Sequence, residues 1–133
     1  MDRDEILSVV GPLLKACGGV RLALVFGSMG RGNATDRSDL DVAVLGATNV
    51  LDCAASLSAA VGREVDIVNL TEVSIPMLEA IVRDGVVVFE CERGVAAIWR
   101  SRALASLEID RPWYERMQKA WLARVAERGV LGQ

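Results

Sequence analysis

The residues best suited to chemistry are two aspartates, Asp39 and Asp41, at the entrance of an apolar run, DVAVL, that reads as a buried strand. Residues i and i+2 of an extended chain share a face, so both carboxylates project to one side while Leu40 points to the other. Two like charges at the mouth of an apolar strand are costly unless a cation or a hydrogen-bond network compensates them. Oxygen-only ligands of this kind suit Mg²⁺. Upstream, a second apolar run, LALVF, is stopped by Gly27 and followed by Ser28. If the two runs are antiparallel neighbours, Gly27 and Ser28 lie opposite Asp39 and Asp41 at one edge of a sheet. Glycine lets backbone N–H groups approach an anion closely, and a short helix starting at Ser28 turns its positive end toward a phosphate. The implied chemistry is a phosphate cradle facing a metal-binding carboxylate pair. The lysine and spacing of a GxxxxGK[ST] P-loop are missing, which excludes that mode of phosphate binding.

Gly27-Ser28, ten intervening residues and Asp39-Leu40-Asp41, with Arg31-Gly32 and Ser38 between and a hydrophobic strand before, resemble the signature of the DNA polymerase β-like nucleotidyltransferase superfamily. The motif occupies residues 27–41, and the wider likeness continues to about Glu90. Within the superfamily the chain looks like the minimal nucleotidyltransferases, or MNT proteins, which are often the antitoxin half of HEPN/MNT toxin–antitoxin pairs. The resemblance implies a nucleotidyltransferase fold in which a third acid on a later strand joins the aspartate pair. Asp66, the one acid inside the apolar part of REVDIVNL, is the natural candidate, with Glu64 as its competitor two residues earlier. Asp39, Asp41 and Asp66 are then the expected catalytic and metal-holding residues, for one or two Mg²⁺ ions. Gly27, Ser28 and Arg31 are the expected nucleotide-binding residues, with ATP as substrate. Arg31 either contacts the triphosphate or pairs with a carboxylate and braces the loop, whereas Arg37 reads as solvated surface charge. By the same resemblance the acceptor is a hydroxyl, most readily a tyrosine's, on a cognate HEPN ribonuclease toxin, and AMP addition neutralises it. Two other readings stand beside this one. One is nucleotidyl transfer to a small hydroxylated molecule of the aminoglycoside type, disfavoured because about 40 residues remain for a substrate domain. The other is a non-catalytic antitoxin that covers its toxin.

Composition agrees with a modest enzyme domain. A chain of 133 residues, 52% hydrophobic, is long enough for one core. A net charge of −3 and a pI near 5.0 advertise no nucleic-acid surface. No run approaches the roughly 18 apolar residues of a membrane span, so a soluble, cytoplasmic protein is expected. With no histidine, a histidine base or nucleophile is excluded, and a zinc site would need an unusual ligand set. Cys17, Cys53 and Cys91 are widely separated and read as reduced, mostly buried thiols.

The elements that must position these groups can be read in order. Residues 2–16 carry Ile6, Val9, Val10, Leu13 and Leu14 at helical spacing, with Gly11-Pro12 expected to kink or divide the helix. Asn49 to Val61 forms a second helix closed by Gly62, and REVDIVNL a strand. Thr71 is expected to cap a helix running to about Arg83, with Pro76 bending it, before Asp84-Gly85 turns into the strand VVVFE. Strands and helices alternating in this way predict an α/β (α+β) architecture with a mixed sheet, in a nucleotidyltransferase domain over residues 1–90. Residues 91–133 form a helical extension of the same domain. It reads as two helices, the second capped by Asp110 with Pro112 in its first turn. All three tryptophans and the one tyrosine fall in this tail, as Trp99, Trp113, Tyr114 and Trp121. They suit packing on the sheet, or a partner, homo-oligomer or hetero-oligomer surface.

Overall fold

A computed structural model describes residues 1–47 and 49–128 of the chain. In chain order the elements are α1 (Arg3–Ala16), β1 (Leu22–Phe26), α2 (Gly27–Arg31), β2 (Leu40–Leu45), α3 (Val50–Val61), β3 (Val65–Asn69), α4 (Ile75–Asp84), β4 (Val86–Glu90) and α5 (Val95–Arg128). The four strands form one mixed sheet in the order β3-β2-β1-β4. β1 runs antiparallel to both β2 and β4, while β2 and β3 are parallel, as their helical crossover α3 permits. The expected mixed α/β sheet with a helical C-terminus is therefore the observed fold.

Helices cover both faces, which is why the central strand β1 is buried along its whole length. On one face Val25, Val42 and Val44 pack with Ile6 and Val10 of α1 and Leu57 of α3. On the other, Leu22, Leu24, Phe26 and Ala43 pack with Ile81 of α4 and, partly buried, Trp99 of α5. Alternation along β2 assigns Leu40, Val42 and Val44 to the first face and Asp41, Ala43 and Leu45 to the second. Asp41 thus shares a face with α4 and α5.

Several local expectations are corrected. Gly11-Pro12 does not divide α1, which is one helix with Pro12 inside it. Pro12 is exposed, and Gly11 serves packing: a Cβ there would meet the Val88 carbonyl oxygen at 2.6 Å, so the missing side chain lets α1 lie directly on β4. Thr71 does not cap α4. Its N–H and hydroxyl both donate to Asn69 Oδ1, at 3.0 and 2.8 Å, and Ser74 is the cap, accepting from the Met77 N–H at 3.3 Å with Pro76 in the first turn. The tail is one helix of 34 residues, not two. Asp110 accepts from Ser106 Oγ at 2.9 Å instead of capping a new helix. Pro112 removes the N–H that would bond the Glu108 carbonyl, but Glu108 is exposed, so water can satisfy that oxygen. The last five residues of the expected extension lie outside the described residues.

The cysteine expectation also fails. Cys17, at the end of α1, and Cys53, in α3, are joined by a disulfide with Cα atoms 5.8 Å apart, and Cys91 is free and exposed. Their wide sequence separation concealed the pairing, because only the packing of α1 beside α3 on the same sheet face brings them together. Among the described residues no helix is long and apolar enough to cross a membrane.

Candidate active site

Strand register assembles the site. Phe26, the last residue of β1, pairs with Asp41, and Asp41 in turn pairs with Asp66 on β3. Directly opposed residues of neighbouring strands point to the same face, so the Asp41 and Asp66 carboxylates stand side by side on the face shared with α4 and α5. Asp39 immediately precedes β2 and is exposed, as is Asp66. Glu64, the competing acid, precedes β3; its carbonyl accepts from the Leu40 N–H at 2.9 Å while the residue is exposed.

The turn after β1 closes on the same point. Gly27 has φ +67°, the left-handed region that glycine enters without the steric cost of a side chain. A Cβ placed on it would collide with Asp41 Oδ2 and lie 3.3 Å from Asp41 Cγ. The backbone of the turn therefore rests against the carboxylate, and any side chain would displace one of them. α2 begins here, one residue earlier than the sequence suggests, and Ser28 is half-buried in its first turn. The second half of α2 is tied down from outside. Arg3 donates from Nε to the Met29 carbonyl at 2.7 Å and from Nη2 to the Gly30 carbonyl at 3.2 Å.

Charge accumulates where these elements meet. The Asp41 carboxyl is held above its ordinary range, first by burial and then by the negative charges of Asp66 and Asp39, with Arg31 opposing. Both neighbours are thus close enough to Asp41 to be felt, and a cation is the natural means of relieving the three. Among the described residues no three acids are drawn together into a ready-made metal cage. The donors of Asp39, Asp41 and Asp66 are oxygen only, a set that by its chemistry fits Mg²⁺.

Arg31 is paired with a carboxylate. Its Nη1 lies 3.5 Å from Asp84 Oδ2 at the end of α4, where Arg83 also pairs with Asp84 at 3.0 Å. The hydrogen bond from Arg83 is the main cause that lowers the Asp84 carboxyl below its usual range. Of the two roles open to Arg31 in the sequence, the structure displays the brace. Arg37 is exposed, as expected. One positioning residue escaped the sequence altogether. Arg63, after α3, donates from Nη1 to the Thr35 and Ser38 carbonyls at 2.7 and 3.1 Å, pinning the loop that delivers Asp39. No motif announces it, because its partners are backbone atoms more than twenty positions away.

Residues 11–93, more than half the chain, match the family model described as polymerase beta, nucleotidyltransferase. The chain belongs to that family. No curated protein matches this nucleotidyltransferase, but solved structures do. A chain from a toxin–antitoxin crystal structure with AMP-PNP superposes with a TM-score of 0.66 at 21% identity, covering 96% of this chain and 98% of that one. A chain from a complex of tri-AMPylated Shewanella oneidensis HEPN toxin with MNT antitoxin gives 0.64 at 19% identity, covering 94% and 97%. A third, described as a minimal nucleotidyltransferase, gives 0.56 at 29% identity, covering 65% of this chain and 95% of its own. At these identities the likeness is one of fold, and the fold is that of the MNT antitoxins.

Proposed function

We propose that this nucleotidyltransferase is an antitoxin that transfers AMP from ATP to a hydroxyl, most readily a tyrosine's, of a cognate HEPN ribonuclease toxin. The observation that carries the proposal is the pairing of Asp41 with Asp66 across β2 and β3, beneath a glycine turn that leaves no room for a side chain over Asp41. Asp39 and Asp41, with Asp66, would hold Mg²⁺, whose charge offsets that of the triphosphate and eases deprotonation of the acceptor hydroxyl. Gly27 and Ser28 supply backbone and hydroxyl donors to the outer phosphates. Asp66, exposed at the rim, takes the acceptor proton. The acceptor oxygen forms its bond to the α-phosphorus as the bond from that phosphorus to the bridging oxygen breaks, and pyrophosphate leaves. Support for a protein acceptor comes from the neighbours: the chain aligns over 96% and 94% of its length with chains of toxin–antitoxin complexes, one of which holds a tri-AMPylated HEPN toxin.

Co-expression with a candidate HEPN toxin tests the reading by intact mass. AMP-sized additions to the HEPN protein are expected, and Asp39→Ala combined with Asp41→Ala removes them. Undiminished addition by the double variant rejects the site. Neutralisation without any mass change instead favours a covering antitoxin.

A further inference from the structure

The second half of α5 has little of its own chain to pack against. From Glu108 to Arg128 every residue is exposed except Tyr114 and Val125, which are half-buried. The exposed ones include Trp113 at 55%, Met117 at 48% and Trp121 at 56%. These three are four residues apart, so each is turned by about 40° from the last and together they form a single i±4 ridge. Ile109 and Val125 lie on the same row. An unsupported helix of some twenty residues is marginal in water, and an apolar ridge of this size gains free energy when it is covered.

The identity of the cover is written in the symmetry of the ridge. Trp113 and Trp121 stand four residues to either side of Met117, and Ile109 and Val125 eight. Seven residues to either side stand Asp110 and Arg124, of opposite charge. Seven residues are two turns to within about 20°, so both face the same way as Met117. Laid antiparallel on itself about Met117, the segment therefore matches apolar with apolar and acid with base at every one of these positions. A surface that complements its own reversal is what an isologous two-fold contact requires.

We propose that the distal half of α5 pairs antiparallel with the same segment of a second copy of this chain. The two-fold axis passes at Met117. Trp113 of each copy stacks with Trp121 of the other, and Asp110 pairs with Arg124 twice. Charge complementarity selects this occupant: an unrelated partner would have no reason to meet an acid and a base placed symmetrically about the apolar centre.

Sedimentation velocity of the full chain at concentrations on the order of 1–100 µM tests this, since that range brackets a micromolar association. A dimer is expected. Asp110→Arg and Arg124→Asp should each raise its dissociation constant by about tenfold or more, and the double reversal should restore it to within about threefold of wild type. Lys119→Glu, on the opposite side of the helix, should change nothing. Circular dichroism checks that each variant keeps its helix. As an independent measure, Met117→Cys in a Cys91→Ser background should cross-link to a covalent dimer under mild oxidation, because the axis brings that position against itself. A monomer throughout the range overturns the proposal, as does a dimer indifferent to the charge reversals or unable to cross-link at 117.

Discussion

Gly27→Ala isolates the contact on which the candidate site rests. Two costs are separable. An L-residue at φ +67° carries roughly 1–2 kcal/mol of backbone strain, which in a domain of this size lowers Tm by roughly 3–8 °C. The new Cβ also collides with Asp41 Oδ2, so the carboxylate must retreat by about an ångström to regain van der Waals distance. A displacement of that size at a reacting centre costs about a hundredfold in rate. Gly62→Ala is the matched control, because φ there is +68° and nothing lies within 4 Å of its added Cβ. Both variants should lose similar Tm in differential scanning fluorimetry. Only Gly27→Ala should lose AMP transfer, by about a hundredfold when followed by intact mass of the HEPN protein. Equal transfer by the two variants would refute the reasoning, since the position of Asp41 would then not govern the chemistry.

Asp66→Asn should abolish transfer while Glu64→Gln leaves it within about threefold of wild type, because the register opposes Asp41 to Asp66 and leaves Glu64 outside β3; the opposite ranking in the same mass assay would reassign the third acid. For Asp41 the pH dependence follows from the sign of its shift. A carboxyl raised in the folded state costs stability while ionised, and that cost is relieved as pH falls through the folded value and then below the ordinary 3.8. In metal-free buffer near pH 7, Asp41→Asn should therefore melt above wild type, with the difference shrinking toward zero on acidification; added Mg²⁺ should raise the wild-type Tm and leave the variant's unchanged. Arg63→Ala removes two charged hydrogen bonds to the Asp39 loop, so a stability loss of about 1–3 kcal/mol in urea titration is expected together with weaker transfer.

What the sequence disclosed and what it withheld divide along range. The face of Asp41 was legible in the alternation of DVAVL, whereas Asp39 stands just before β2, where that alternation no longer fixes its side. Gly27 was legible as a turn, but not as the floor of the Asp41 carboxylate, since that depends on Phe26 and Asp41 being register partners. The disulfide between Cys17 and Cys53 and the grip of Arg63 on the Thr35 and Ser38 carbonyls were hidden for the same reason: each joins elements that meet only after the sheet has formed. The misread boundaries have a local origin. Thr71 and Ser74 are both good caps, and Asp110-Arg111-Pro112 is a good helix start, but where a chain carries two adequate signals, packing decides which is used. At Ser74 the choice buries Ile81 against Leu24 and Phe26. At Pro112 the surroundings are open to solvent, so the lost hydrogen bond is a tolerable expense.

Arg31 shows why the brace matters to the acids. Through Asp84 it ties the end of α2 to the end of α4, and its charge simultaneously opposes the upward shift of Asp41. At its other attachment, α2 is held by Arg3 from α1 on the Met29 and Gly30 carbonyls. The five-residue helix is thus clamped between one element from each layer of the fold, although it is too short to be stable by itself. Three negative charges at one strand mouth repel one another, so the position of Asp41 depends on what packs against it, and the turn at Gly27 is that surface. Arg3 from one layer and Asp84, through Arg31, from the other thus fix the turn against Asp41, whose carboxyl stays raised by burial and by Asp66 and Asp39.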